Sequence, residues 1–290
     1  MGAPRWPIRG KCMRSSVEIY NLNDRSISIV LQTDRLIEAP SFTPEGDSLI
    51  VNGDGQIYRV PVEPPSILDK IDTGFARSCN NDHGPSPDGK WLAITDKTEH
   101  GKACIYVLPL LGGEPKPVAT VFKSYWHGWS PDSARITYCG IRDDVFDIYT
   151  VALSGADEHR LTDGVGHNDG PDYSHDGRWV YFNSDRDGQM QIWRVQADGA
   201  GLQKFHTSPF ADWFPHPSPD GRYVLILSFD PAVGRDHPRD VPVCLRLITL
   251  ETGSAETLTE MTGGQGTMNV PNWAPDSKSF AFIRYGALKL

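Results

Sequence analysis

Apolar residues in this chain fall into short runs rich in β-branched and aromatic side chains, and each run follows a turn of nearly constant composition. The runs are Leu49-Ile50-Val51, Trp91-Leu92-Ala93-Ile94, Ile136-Thr137-Tyr138, Trp179-Val180-Tyr181-Phe182, Tyr223-Val224-Leu225-Ile226-Leu227 and Phe280-Ala281-Phe282-Ile283. Their length and composition predict strands. The preceding turns are Thr43-Pro44-Glu45-Gly46, Ser86-Pro87-Asp88-Gly89, Ser130-Pro131-Asp132-Ser133, Ser174-His175-Asp176-Gly177, Ser218-Pro219-Asp220-Gly221 and Ala274-Pro275-Asp276-Ser277. Pro presets φ, Asp bonds to its own backbone and Gly accepts φ > 0, so each tetrad predicts a hairpin turn.

Measured from the second residue of each tetrad, the steps are 43, 44, 44, 44 and 56 residues. Further along each unit an Ile-aromatic pair predicts another strand: Ile57-Tyr58, Ile105-Tyr106, Ile148-Tyr149 and Ile192-Trp193, with a looser copy at Leu245-Arg246-Leu247. The sixth copy, Ile19-Tyr20, precedes the first turn. A strand there and a fourth at residues 27–31 are what the last unit lacks. The expected fold is therefore all-β, a six-bladed β-propeller whose last blade is closed by N-terminal strands. Closure protects edges that would otherwise pair with other chains. Residues 1–14 are expected to be a flexible extension, with Met1 or Met13 as the start, and 15–290 a single propeller.

Composition agrees. The 28 Gly and 23 Pro supply turns without reaching the density of disordered sequence. Net charge is −9, the wrong sign for a phosphate-backbone partner, so no nucleic acid is expected. No stretch reads as a signal peptide or a membrane span, and no membrane partner is expected. Five widely spaced cysteines, Cys12, Cys79, Cys104, Cys139 and Cys244, form no CxxC pair and read as reduced thiols of a cytoplasmic monomer.

An aromatic residue, Ser-Pro-Asp-Gly, a β run and an Ile-Tyr strand ending in Arg-Leu-Thr resemble the TolB-type propeller repeat, best seen over residues 129–162. The resemblance covers residues 15–285. It implies a propeller alone, without the signal peptide and N-terminal α/β domain of TolB itself. Its lyase branch implies a manganese ion held by histidines and a glutamine. No G-x-S-x-G elbow or other nucleophile–base constellation is present.

With strands A to D running outward from the axis, the tetrads are A–B turns on one face of the ring, and generic turn residues fill that face. The opposite face is expected to carry the D–A crossings, read at residues 79–84, 124–129, 166–172 and 211–216. Residues 263–269 add to it, together with the B–C loops and a long insertion at 229–242. Loops on a rigid scaffold that gather His, Asp, Asn, Arg and Trp are where binding groups usually sit. The candidate ligand-binding residues are Asp82, His83, Trp126, His127, Arg142, Asp169, Asp172, Arg186, Trp213, His216 and Asn269. Three residues before each turn stand Pro40, His83, His127, Pro171, Pro215 and Pro271, so two blades put histidine where the others have proline.

His83, His127 and His216 are the candidate ligands for one divalent metal, with Asp82, Asp169 or Asp172 beside them and Gln265 as a further donor. Each histidine also reads as a hydrogen-bond donor between blades. Trp126 and Trp213 are placed in crossings and offered as stacking surfaces. Arg142 and Arg186 occupy matching B–C positions, as surface ion pairs or as a clamp on carboxylate or phosphate. Trp129, Trp273, Phe42 and Tyr173 read as inter-blade core. The functional expectation is a binding propeller whose partner is a small polar or anionic ligand, or a protein, at this mouth. The alternative is a metal-assisted lyase or hydrolase acting on a uronate-like substrate.

Overall fold

A computed structural model describes residues 15–118 and 123–286. Residues 1–14, including Cys12 and Met13, lie outside it. Six sheets form a closed ring. From axis to rim, the first blade comprises Glu38–Phe42, Ser48–Gly53, Gln56–Pro61 and Asp69–Lys70. The second comprises Cys79–Pro85, Trp91–Asp96, Cys104–Pro109 and Lys116–Pro117, and the third Ser124–Trp129, Arg135–Arg142, Val145–Ala152 and His159–Arg160. The fourth is built from Asn168–Tyr173, Trp179–Ser184, Gln191–Gln196 and Gln203–His206, the fifth from Ala211–Pro217, Tyr223–Phe229, Arg239–Thr249 and Ala255–Gly264. Among the described residues the only helix is a 3-10 turn at Pro231–Val233 inside the long insertion, and none is long and apolar enough to cross a membrane.

The sixth blade is closed as expected. Ser279–Tyr285 pairs with Ser15–Asn21, which pairs with Ile27–Thr33, all antiparallel. Its axial segment is less regular than in the other blades: Trp273 bridges Phe280, Asn272 O accepts from Ala281 N at 2.9 Å and Thr267 O accepts from Ile283 N at 3.0 Å. The closing strand is buried along nearly its whole length.

No blade has a core of its own. The apolar side chains collect between neighbours: Ile50 and Ile57 pack with Leu92 and Ile94, Ala93 and Ile105 with Trp129 and Ile136, and Tyr181 and Ile192 with Val224 and Ile226. The closing strand gives Val17 and Ile19 to the cluster shared with Leu49 and Val51 of the first blade, alongside Ala281 and Ile283. Trp129, Trp273, Phe42 and Tyr173 are buried in such clusters, as predicted.

The tetrads are turns with the expected chemistry. In the second blade Gly89 N donates to Ser86 O at 2.9 Å, and Asp88 Oδ1 accepts from Ser86 Oγ at 2.7 Å and Lys90 N at 3.1 Å. Where serine replaces the final glycine it joins blades: Ser133 Oγ accepts from Asp88 N, and Ser277 Oγ accepts from Asp220 N, each at 3.0 Å. Both serines hold positive φ, 59° and 60°.

One expectation is corrected. The polar segments read as D–A crossings are largely the innermost strands themselves, Cys79–Pro85, Ser124–Trp129, Asn168–Tyr173 and Ala211–Pro217. They lack an apolar run because one side faces the axis. Each carries a bulge, where register shifts between Cys79 and His83, Trp126 and Gly128, Asp169 and Asp172, and Trp213 and His216. Pro171 and Pro215 fall inside these bulges, where no ladder donor is required.

The closing strand is expected to dominate stability. Ile283, fully buried opposite Val17, should cost about 2–5 kcal/mol on Ile283→Ala, measured by denaturant unfolding. Ile29→Ala on the exposed outer strand should change stability by less than about 0.5 kcal/mol.

Candidate functional site

The axis opens at both ends, and the two mouths differ in chemistry. At the B–C end a cavity of about 250 Å³ is bordered by Asp82, His127, His167, Asp169 and His237, with amides from Asn80, Gln265 and Asn269. Tyr125, Phe146 and Phe214 supply its aromatic walls. Among the described lining residues there is no lysine or arginine.

His127 occupies the slot that holds proline in four blades, within the bulge of its strand. That placement releases its side chain from the alternation of the ladder and turns it toward the cavity. Nδ1 lies 3.1 Å from the Asn269 carbonyl, which only an N–H can satisfy. Nε2 lies 3.2 Å from Asp169 Oδ1. With an acceptor at both nitrogens the ring is held as imidazolium. Burial opposes that charge, but the Asp169 bond, the charges of Asp82 and Asp169 and the Asn269 carbonyl outweigh it and raise the His127 pKa to about 9.

Asp169 is the counterpart. Burial favours its neutral form, yet His127 and His167 hold its carboxyl well below the ordinary range. Its Oδ1 also accepts from Gly170 N at 2.8 Å. Gly170 has φ +60°, and a Cβ there would stand 2.6 Å from Asn183 Oδ1, the atom that accepts from Phe214 N. Glycine is therefore required beside the carboxylate. Asp82 has weaker support: Asn80 Nδ2 donates to Oδ2 at 2.5 Å and Asn80 Oδ1 accepts from Asp82 N at 3.2 Å. Burial pushes Asp82 up to about 6, against the attraction of His127, which exceeds the repulsion of Asp169.

His167 and His237 complete the cavity. His167 stacks on Phe146 at 4.1 Å between centroids, and its Nε2 is 3.8 Å from Asp169 Oδ2, too far for a hydrogen bond. His237 comes from the insertion and lies 4.4 Å from the Trp213 ring and 5.4 Å from Phe214. Burial lowers its pKa. His167 Nε2 and His237 Nδ1 are both buried without a hydrogen-bond partner.

Of the residues expected from sequence, Asp82, His127, Asp169, Asn269 and the further donor Gln265 meet at this cavity, and the others lie elsewhere. His83 is fully buried, its Nε2 3.3 Å from Asn52 Oδ1 and its pKa driven down to about 3 by desolvation, which leaves it neutral. His216 ties blades together, Nδ1 3.1 Å from Asp172 Oδ2 and Nε2 3.0 Å from Met268 O. The histidines offered as metal ligands thus have separate partners and do not converge. Among the described residues no group of three His, Cys, Asp or Glu side chains is arranged to hold a metal ion, so these donors do not fit the manganese that the resemblance implies.

Asp172 and Trp126 border the opposite mouth. Trp126 and Trp213 belong to innermost strands and are fully buried, so neither is the exposed crossing residue expected. Arg142 pairs with Glu158 at 2.5 Å and lies 3.9 Å above the Tyr149 ring. Arg186 pairs with Asp163 and lies 5.1 Å from the Trp193 ring. Both guanidiniums are held outside the cavity and form no clamp across it.

Sequence reasoning missed Tyr125, His167 and His237. Tyr125 and Asp169 both stand five residues before their turns, so aligning that slot would have found the tyrosine. His237 had no repeat position to be aligned with.

The model of the TolB β-propeller domain matches residues 86–233. An uncharacterised protein of Agrobacterium fabrum is 53% identical over 276 residues, 95% of this chain and 94% of the relative. The solved structure of a TolB-like protein from Agrobacterium tumefaciens, also 53% identical, superposes with a TM-score of 0.93 over 95% of this chain and 99% of that one. TolB of Acinetobacter baumannii shares the fold at 16% identity, with a TM-score of 0.67 over 87% of this chain and 64% of its own. The repeat, the closed ring and these likenesses agree: the chain belongs to the TolB β-propeller family.

Proposed function

We propose that the protein binds a small, uncharged, hydroxyl-bearing molecule at the B–C mouth, with a proton resident on His127. The observation that carries this reading is the lining: two carboxyls, three imidazoles and three amides around three aromatic rings, with no lysine or arginine among the described residues. A hydroxyl group both donates and accepts. It can donate to Asp82 or Asp169 while accepting from a side-chain N–H of the amides in the same lining. Flat apolar faces such as Phe146 and Phe214 suit the C–H face of a ring. An anionic ligand would meet two desolvated carboxylates with the single charge of His127 already committed to Asp169. The volume fits a small molecule and not a protein surface.

In a thermal-shift comparison of neutral sugars and polyols with uronates, a neutral compound should raise the melting temperature and its uronate counterpart should not. Asp169→Asn should weaken the response at least about tenfold, the loss of one charge-assisted bond. Stabilisation by uronates alone would overturn the reading.

The buried charges give a signed pH dependence. Asp82 has a raised folded pKa, so its contribution is most favourable below about 3.9 and is lost as pH rises through about 6. Asp82→Asn should therefore raise the melting temperature at pH 7 but hardly at pH 4. His127 contributes fully below about 6.5 and loses that contribution as pH rises through about 9, so His127→Asn should flatten the alkaline fall in stability.

A further inference from the structure

His237 reaches the B–C cavity from a segment unlike the rest of its lining. Most of the bordering residues stand in paired strands, whereas residues 230–238 form an insertion with one 3-10 turn and no buried side chain. Only Val233 and His237 are partly covered. Segments with so little buried apolar contact open locally at low cost.

The two ends of this segment are tied to opposite sides of the ring. Arg235 Nε pairs with Asp185, in the B–C loop of the fourth blade, and Arg239 Nη2 pairs with Glu38, at the start of the innermost strand of the first blade. In a six-bladed ring the first and fourth blades face each other, so the chain between these arginines passes across the end of the axis. His237 stands midway between them.

The two arms are held unequally. On the Arg239 side, Nε donates to Gln265 O and Gln265 N donates to Pro238 O, each at 3.3 Å, and Arg239 opens a strand paired to Gly264. The approach is so close that a Cβ on Gly264 would stand 1.9 Å from Pro238 O. On the other side, the Arg235–Asp185 pair is the only hydrogen bond or ion pair among the described residues that leaves residues 230–237, and the Arg235 side chain is 67% exposed. Next to this arm lies open space, a cavity of about 330 Å³ bordered by Asp185, Gln189, Met190, Pro231 and Arg235. Gly234, with φ 64° and nothing within 4 Å of where its Cβ would be, supplies a joint. His237 itself rests on Trp213 and Phe214 through ring contacts, its Nδ1 without a hydrogen-bond partner.

Asp82, His127, Asp169 and Asn269 are buried, so a molecule that is to touch them needs an element to move. We propose that residues 230–237 are a gate over the B–C mouth, which opens by breaking the Arg235–Asp185 pair and lifting His237 off Trp213 while the Arg239 end stays fixed. Asp185 joins this latch to the cavity, because its Oδ1 also accepts from the backbone N of His167 at 2.7 Å. What passes the gate rests on the binding proposed above, but the opening itself does not.

Acrylamide, a small neutral quencher, reads the opening without a ligand. Trp213 is fully buried against His237, so its fluorescence is quenched when the gate lifts. Arg235→Ala should raise the quenching constant of that component about twofold to fivefold, the effect of losing one exposed ion pair, and Arg235→Lys should restore it. Salt at about 1 M should bring the unsubstituted protein to the level of Arg235→Ala and leave the variant unchanged. The increase should vanish when Trp213→Phe is added to each protein. In stopped-flow binding of a neutral sugar, Arg235→Ala should raise the association and dissociation rates together by the same factor and leave Kd within about twofold. Quenching that ignores Arg235→Ala, an increase that survives Trp213→Phe, or sugar association no faster in Arg235→Ala would overturn the gate. Quenching that responds as described in a protein that binds no neutral sugar would uphold the gate and sink the binding reading instead.

Discussion

The pairing of Ser15–Asn21 with Ser279–Tyr285 is the constraint on which the rest of the molecule depends. No blade owns a core, so each sheet is stable only between two neighbours. Without the closing strand the first and last blades would each lose a face and expose an unpaired edge. Arg284 reaches across the seam to Glu18, Nε lying 3.1 and 3.0 Å from the two carboxylate oxygens. Closure also brings the six innermost segments around one axis, and that is what places His127 of the third blade against Asn269 of the sixth.

The innermost strands accept a local penalty in exchange for chemistry. A regular strand would alternate its side chains between two faces, and the bulges interrupt that alternation in each of the first five blades. Ala39 and Phe214, each one residue before a bulge proline, hold positive φ of 51° and 52°. Strained backbone and buried ionisable groups coincide here, as they do where proteins trade stability for a site. The outcome is an axis with unlike ends. One end carries carboxylates and imidazoles, the other is lined mostly by proline and aromatic rings.

Much of this was legible in the residues. The tetrads and their period specify a closed six-bladed ring, because turn chemistry is local and a displaced Ile19-Tyr20 has only one place to go. The substitution of histidine for proline pointed to His127, which borders the B–C cavity. The same signal was misleading at His83, which a neighbouring blade covers and Asn52 holds. Polar innermost strands were read as crossings, since a strand that faces an axis on one side carries no apolar run. Arg142 and Arg186 resembled a clamp in aligned sequence, but each is drawn outward by an acid that the repeat does not encode, Glu158 and Asp163.

By itself, then, the sequence determined the repeat, the order of strands, the closure and the stretch of chain from which a site had to come. The repeat and the strand order follow from interactions between residues a few positions apart, repeated six times, and the closure from the one strand copy displaced to the N-terminus. Only the tertiary structure decided which side chains share a mouth. Asp169 and Asp172 are three residues apart yet border opposite ends of the axis, because the innermost strand runs along the axis and carries successive residues from one mouth toward the other. His237 reaches the site from an insertion that belongs to no repeat, held there by contact with Trp213 and Phe214 and by no local rule.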